Sequence, residues 1–444
     1  MNDSKHSRDG LIDQLRTEAE FLFRPELQVH IVGSRARHEA LRRRGIASPQ
    51  PKDLDFCWGI DVDEGERVLE TEGVLRSVTS HAKGRGTLAF QCGDQRCEIT
   101  AFRGGSSIEE DLLCRDATIN AFAWRLQDDK LLDPTGGLND WKDSRLRAVG
   151  DARERIEEHP IRLFRYYRQA ATQGLQLDPA IRKVRFDSGW LESVPSEAWA
   201  AELRRGLLEA ASPGKLCLEL AEIGSFRDLA PDLHGQFDGR PAGPVRYHPE
   251  VSQGLHLALS LDWAADHSRA MSPEDRNRLL VAVLCHDLGK SRTPADEFPS
   301  HRGHEHGGLP LVDEFLDQLP GLTDQAGRRV SKLVCELHLQ VRRLHEVKPG
   351  SLARFYERHL RPKDFPVNIF ALAVAADSAG RLGYVEIGEP TRSAIEQNLR
   401  AIRSTCEQVD VGALRAQFED LEQFREALHQ ERARSLRSVE LIAL

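Results

Sequence analysis

Apolar and polar positions follow two different rhythms along the chain, and the rhythm changes near residue 150. Before it, short runs rich in β-branched and aromatic residues predict strands. Val29-His30-Ile31-Val32 is the first, and it ends at Gly33-Ser34. An Arg-rich helical stretch follows over residues 35–44. Leu54-Asp55-Phe56-Cys57-Trp58 is the second strand, entered through the turn-rich Ser48-Pro49-Gln50-Pro51-Lys52. Residues 87–91 and 97–102 predict a hairpin around Gly93-Asp94, and residues 117–124 and 130–133 add strand or turn elements. From about residue 151 strand signals vanish. Apolar positions such as Ile161, Phe164, Tyr167 and Ala171 recur at helical spacing. Residues 237–244 form a Gly/Pro breaker cluster, and a domain boundary is placed there. The pattern predicts an α+β chain. Its parts are a head on a small mixed sheet (1–150), a helical neck and body (151–240), an α-helical domain with His clusters (245–395) and a helical tail (396–444).

Composition changes the picture little. The 444 residues carry 61 Lys+Arg against 70 Asp+Glu, a net charge of −9, and 40% are hydrophobic. That balance suits a globular chain of two to four domains. No apolar run approaches the ~20 residues that span a bilayer. The N-terminus, Met1 to His6, has no apolar segment behind it, so no secretory signal is expected. None of the eight cysteines forms a Cys-x-x-Cys pair, which predicts reduced thiols and a cytoplasmic protein. A net negative charge does not exclude nucleic acid, because a local basic stripe decides that.

Candidate chemistry begins at Asp53-Leu54-Asp55. On a strand, residues i and i+2 share a face. Two hard oxygen donors on one face suit Mg²⁺, which completes its shell with waters and substrate phosphates. Glu98 on the hairpin could supply a third carboxylate. Upstream, Gly33-Ser34-Arg35-Ala36-Arg37 is a tight turn and helix start, whose backbone N–H groups can cradle a triphosphate with Arg37 adding charge.

Downstream come Arg115-Asp116-Ala117-Thr118-Ile119-Asn120-Ala121, then Asp133-Pro134-Thr135-Gly136-Gly137-Leu138-Asn139-Asp140, then Glu158-His159-Pro160-Ile161-Arg162. This order, over residues 29–178, resembles the tRNA nucleotidyltransferase and bacterial poly(A) polymerase family, of polymerase-β-like fold. The resemblance implies a CCA-adding type of nucleotidyltransferase acting on an RNA 3′ end, tRNA above all, with CTP and ATP as donors. It implies that Asp53 and Asp55 bind the catalytic metals and that Arg115, Asp116 and Asn120 hold the nucleotide. Its base-reading Glu-Asp-Pro-x-Arg-x-x-Arg motif falls on His159, Arg162 and Arg165. The departures stand where chemistry is chosen. Ser34 replaces a glycine, Arg37-His38 an Arg-Asp pair, Cys114 an arginine, Ala198 an arginine, and His159 the base-reading carboxylate. His159 and Arg162 are i and i+3, which predicts one shared helix face. Neutral histidine both donates and accepts, so strict selection of C and A is in question.

A second constellation is His286-Asp287-Leu288-Gly289-Lys290, after the apolar residues 279–285. Further ligands could converge from His256, His304, His338 and Asp377. Imidazole with carboxylate suits Mn, Fe, Ni, Co or Zn and a water nucleophile for phosphoester hydrolysis. The spacing resembles an HD-type phosphohydrolase. Residues 248–256, 301–304 and 376–383 are similar to the HD domain appended to gammaproteobacterial tRNA nucleotidyltransferases, where phosphatase and cyclic phosphodiesterase activities are implied.

Arg42-Arg43-Arg44 and the face made by Arg162, Arg165 and Arg168 could track RNA phosphates or be solvated helix faces. The tail carries the acidic Phe418-Glu419-Asp420-Leu421-Glu422 where the family is basic. Three functions stay open at this level. The chain could be a bifunctional CCA-adding enzyme and phosphohydrolase, a transferase of altered base or RNA specificity, or an RNA-binding protein in which only the HD domain works.

Overall fold

The computed structural model describes residues 6–48, 51, 53–81, 85–362 and 364–444. Pro49, Gln50 and Lys52 of the expected turn therefore lie outside the described residues. Two apolar runs form the expected strands β1 (His30–Val32) and β2 (Asp55–Trp58), paired antiparallel. β3 (Leu75–His81) precedes the expected hairpin of β4 (Arg85–Cys92) and β5 (Gln95–Ala101). Cys92 lies opposite Gln95, which leaves Gly93-Asp94 as a two-residue turn. β6 (Ala123–Arg125) and β7 (Lys130–Leu132) complete a sheet in the order β3-β4-β5-β2-β1-β6-β7. Only β2 and β5 run parallel in it.

The core on one face of this sheet is Ile31, Phe56, Trp58, Phe90, Ile99 and Phe122 with residues of the flanking helices. Because side chains alternate across a strand, burying Phe56, Cys97 and Ile99 turns Asp55 and Glu98 to the opposite face. A parallel pair, β8 (Arg145–Leu146) and β9 (Gln176–Leu177), corrects the expectation that strands end at residue 151.

The chain divides into two compact units, Met1–Ala170 with Gly174–Val184, and Ala171–Gln173 with Arg185–Leu444. The second is helical. Two of its helices, Pro273–Cys285 and Val367–Ala379, pack together and are apolar nearly all round at their C-terminal halves. A helix with that pattern must be central. Polar residues at its end are then buried whatever their chemistry. His286 and Asp287 follow the first helix at 1% and 2% exposure, and Asp377 lies in the last turn of the second at 5%.

The Asp133-to-Asp140 motif is architectural. Asp133 accepts from the backbone N–H groups of Gly137 (2.8 Å) and Leu138 (3.0 Å), starting the helix Gly137–Lys142. Asp140, 1% exposed, accepts from the Thr118 hydroxyl at 2.6 Å, from Arg145 at 2.7 Å and from Arg147 Nε at 3.0 Å. Burial works to raise the Asp140 carboxyl, yet Thr118, Arg147 and Arg145 hold it below its ordinary value. The ionised form is the one the fold favours. Its contribution is therefore complete above the unfolded carboxylate value of ~3.9 and is lost as pH falls through the lower folded value. Asp140→Ala should lower the stability of the first unit by about 1–3 kcal/mol, since Arg145 and Arg147 are partly exposed and can be rehydrated. An unchanged urea midpoint at pH 7 would show that the network carries no stability.

Candidate functional site

In the first unit the residues meet at the edge where β1 gives way to the helix Gly33–Arg42. Val32 is opposite Asp55 on one side, and Asp55 is opposite Glu98 in the parallel pair on the other. Gly33 begins the helix at φ +66°, and a Cβ there would stand 3.1 Å from Asp55 Oδ2. Conformation and close approach both call for glycine. Burial raises the Asp55 carboxyl above its ordinary value, and negative charge on Asp53 and Glu98 raises it further. Asp53 is exposed just before β2. Among the described residues these three carboxylates form no group whose oxygens all lie within 4.8 Å of one another. They repel, and a divalent cation is the species that would relieve them. The donor set fits Mg²⁺.

Beside them is a hydrogen-bonded core made by the Arg115–Asn120 segment. Asp116 Oδ1 accepts from the Ala117 N–H at 2.7 Å and from Asn120 Nδ2 at 3.0 Å. Asn120 Oδ1 accepts from Arg37 at 2.9 Å. The Arg37 guanidinium also lies over the Trp141 ring, 5.0 Å from its centroid, and burial lowers it to about 10. Arg115 is held by Asp111 at 2.7 Å and Arg165 stands 3.6 Å from Asp116. Of the other basic residues singled out, Arg42 and Arg43 both close on Glu39, at 2.6 and 2.7 Å.

A cavity of about 620 Å³ is lined by Cys114, His159, Arg162 and Arg165 with Arg103 and Thr100. His159 does not share a helix face with Arg162. It caps the end of Ala152–Glu158 at φ −149°, and the next helix, Ile161–Gln173, starts after Pro160. Proline pushes the residue before it out of the helical region, and that signal stood in the sequence. The two side chains nonetheless line one cavity. Burial, and then the Arg162 charge, lower the His159 imidazole, so it is neutral near pH 7. Arg162 donates to Glu158 at 2.7 Å and to the Cys114 carbonyl at 3.2 Å.

In the second unit the expected ligands converge. His256, His286 and Asp377 offer ligand atoms all within 4.8 Å of one another, and so do Asp287, His304 and His338. His248, Glu250 and His256 make a third such group. Each of the four core imidazoles faces a backbone carbonyl with Nδ1: His256 to Gly380 (2.9 Å), His286 to Val283 (2.6 Å), His304 to His301 (2.7 Å) and His338 to Val334 (3.1 Å). Donation there leaves the Nε2 lone pair of a neutral ring facing inward. Nε2 of His256, His286 and His304 is buried without a hydrogen-bond partner. The nearest groups are carboxylate oxygens, Asp377 at 3.2 Å from His256 and Asp287 at 3.1 Å from both His286 and His304. Lone pair facing carboxylate is a contact that a metal cation resolves, so the residues fit a metal.

Burial opposes ionisation of Asp287, but His286, Lys290 and His304 hold its carboxyl well below the usual range. His338 is driven down to about 4 by burial. The close approach that shapes the site needs Gly289, whose Cβ would fall 1.9 Å from the His304 carbonyl.

Several groups here had no assignment from sequence. Lys290 reaches Asp287 at 2.7 Å, Gln253 reaches it at 3.0 Å, and Arg342 lies 3.4 Å from Asp377. Glu250 accepts from His248 at 2.8 Å and lies 3.3 Å from His256. Despite burial, these two imidazoles lower its carboxyl to about 2. Lys290, Glu250 and Gln253 stood in recognisable motifs, but Arg342 did not, and its contact joins residues remote in sequence.

A poly A polymerase head domain model matches residues 29–147, and an HD domain model matches residues 254–373. A multifunctional CCA protein of Cupriavidus metallidurans is 33% identical over 427 residues, covering 91% of this chain and 97% of that protein. One from Acinetobacter baumannii is 33% identical over 306 residues, 67% of this chain and 70% of that protein. The fold is shared with a CCA-adding enzyme solved with ATP (TM-score 0.62, 17% identity, 97% and 92% of the two chains). It is shared also with the Thermotoga maritima CCA-adding enzyme solved with tRNA (TM-score 0.59, 17% identity, 96% and 90%). Among the described residues no helix is long and apolar enough to cross a membrane. With matches in both halves and a relative spanned almost end to end, the chain belongs to the multifunctional CCA protein family, in which a metal-dependent nucleotidyltransferase head and a metal-dependent HD domain share one polypeptide.

Proposed function

We propose that the chain adds nucleotides to the 3′ end of tRNA, with CTP and ATP as donors, and that its HD domain separately hydrolyses phosphoesters in the cytoplasm. The observation that carries the first activity is the register that sets Asp55 beside Glu98 and under Gly33, in the same unit as the cavity of His159 and Arg162. We read residues 1–150 as the head, 151–240 as neck and body, 245–395 as the HD domain and 396–444 as the tail.

In this reading Asp53, Asp55 and Glu98 hold Mg²⁺. These carboxylates would hold the cation where it would supply Lewis-acid polarisation of the reacting phosphate and offset charge on the departing pyrophosphate. Gly33 and Ser34 present backbone N–H groups to the triphosphate at the start of their helix. The Arg37–Asn120–Asp116 network fixes the floor of the nucleotide site, with Arg115 and Arg165 at its rim. His159 and Arg162 face the base. In the HD domain His256, His286, Asp287, His304, His338 and Asp377 hold a transition metal, Ni, Mn, Co, Fe or Zn, which would supply an activated water.

The test is incubation of the protein with tRNA lacking its 3′ CCA, Mg²⁺ and each labelled nucleotide. Incorporation of CTP and then ATP is expected, and incorporation of none would remove the transferase reading. A second reading, looser base choice, rests on His159. A carboxylate there rejects U and G, because their O4 or O6 would face another acceptor at a cost of ~1–3 kcal/mol, about ten- to a hundredfold. Neutral His159 can turn an N–H toward that oxygen. His159→Asp should therefore sharpen preference for CTP and ATP by about that factor. Equal discrimination by wild type and variant would mean that residue 159 does not read the base.

A further inference from the structure

We propose that Arg381 is the phosphoryl anchor of the HD site, and that this site recognises the phosphoryl group of its substrate and not the leaving group. The inference rests on the phosphohydrolase reading above and deepens it. Beside the converging ligands is a half-open cavity of about 160 Å³ whose basic lining is Lys290, Arg342, Arg381, His248 and His301. A cavity of ~150 Å³ holds a six-atom ring such as benzene. This one admits a five-atom phosphoryl group and has no room for a nucleoside.

The three cations are not equivalent. Lys290 has spent its donors. Its ammonium lies 2.7 Å from Asp287, 2.8 Å from the Ala242 carbonyl and 3.1 Å from Gln253 Oε1, three partners for three N–H bonds. Arg342 turns to Asp377 at 3.4 Å. Arg381 is 9% exposed, and its Nε is buried without a partner. Among the described residues its guanidinium forms no ion pair. A buried guanidinium with unspent donors is costly unless an anion completes it, and its planar fork matches two phosphoryl oxygens.

Placement agrees with the chemistry. Arg381 follows Gly380, whose carbonyl orients His256, and lies four residues after Asp377. One backbone segment thus sets both the metal ligands and the anion anchor. Leu339 also lines the cavity at 40% exposure, and Leu382, next to Arg381, is 50% exposed. They offer contact area to a leaving group and no donor set that would select it.

The test uses the full chain, metal-loaded, as wild type, Arg381→Gln and Arg381→Lys. The substrates are an aryl phosphate monoester and a nucleoside monophosphate, with inorganic phosphate as inhibitor. Arg381→Gln should raise KM for both substrates and the phosphate inhibition constant by one common factor, roughly 10- to 100-fold. kcat should change far less, and elemental analysis should find the metal content unchanged. Arg381→Lys, which keeps the charge without the fork, should recover part of the loss. An unchanged KM and inhibition constant, or loss of metal from both variants, would overturn the anchor. KM factors that differ more than severalfold between the two substrates would overturn the indifference to leaving group. If wild type neither hydrolyses a phosphoester nor binds phosphate, the phosphohydrolase reading fails first and the anchor with it.

Discussion

Nucleotide transfer by an Asp53→Ala, Asp55→Ala double variant should fall by about a thousandfold or more, while its phosphoester hydrolysis stays at the wild-type rate. A metal acting as Lewis acid supplies several kcal/mol of transition-state stabilisation, and each ~1.4 kcal/mol is tenfold. Losing two of three hard donors should forfeit it. The residues of the two sites belong to separate compact units, so no shared ligand links the activities. A fold control is built into the electrostatics. Burial and the neighbouring charges of Asp53 and Glu98 raise the Asp55 carboxyl, so in the metal-free protein its ionised form opposes folding. With a raised acid the benefit is complete only below the unfolded value of ~3.9 and is lost as pH rises through the higher folded value. At pH 7 the metal-free double variant should therefore melt no lower than wild type. Lost transfer together with a lowered melting point would point to unfolding and not to metal loss. Hydrolysis that disappears with transfer would mean the two sites are not independent.

The converse result is expected for His286→Ala. Its Nε2, like those of His256 and His304 in the same cluster, is buried without a hydrogen bond, and it lies 3.1 Å from Asp287. Mutating mere outer partners of a metal ligand costs 10- to 100-fold in affinity or activity, so removing a ligand should exceed about a hundredfold. Hydrolysis of an aryl phosphate should collapse, the metal found by elemental analysis should drop, and transfer should persist. The alanine is preferable to Asp287→Ala. Asp287 also pairs with Lys290 at 2.7 Å, and its loss would strand that buried ammonium. Full hydrolysis and full metal content in His286→Ala would remove this residue from the site.

Much of this was legible in one dimension because the signals are local. The Gly93-Asp94 turn forms its hairpin, since two residues between alternating strands leave few conformations. The helices bearing Cys285 and Asp377 were visible because apolar residues on every side admit only a central position. β3 had no such signal. It is the edge of the sheet, and residues 76–79 along it are all exposed, Val78 at 39%, so no apolar alternation marks it. The strand pair β8 and β9 spans only two residues in each strand, below the length at which a pattern exists.

The sequence by itself determined which chemistry is present: two carboxylates two residues apart at the start of a strand, a His-Asp doublet at the end of an apolar helix, and a histidine where the family carries an acid. Those facts depend on residue type and spacing, which survive without a fold. Tertiary structure alone decided which groups are spent and which are available. Arg37 was expected to meet a phosphate and is turned to Asn120, Arg147 is locked to Asp140, and Lys290 is saturated, while Arg381 keeps a buried nitrogen with no partner. The physical reason is that hydrogen bonds and ion pairs reach only a few ångströms. Residues far apart in sequence, such as His256 with Asp377 or Asp140 with Thr118, become partners only when packing brings them there.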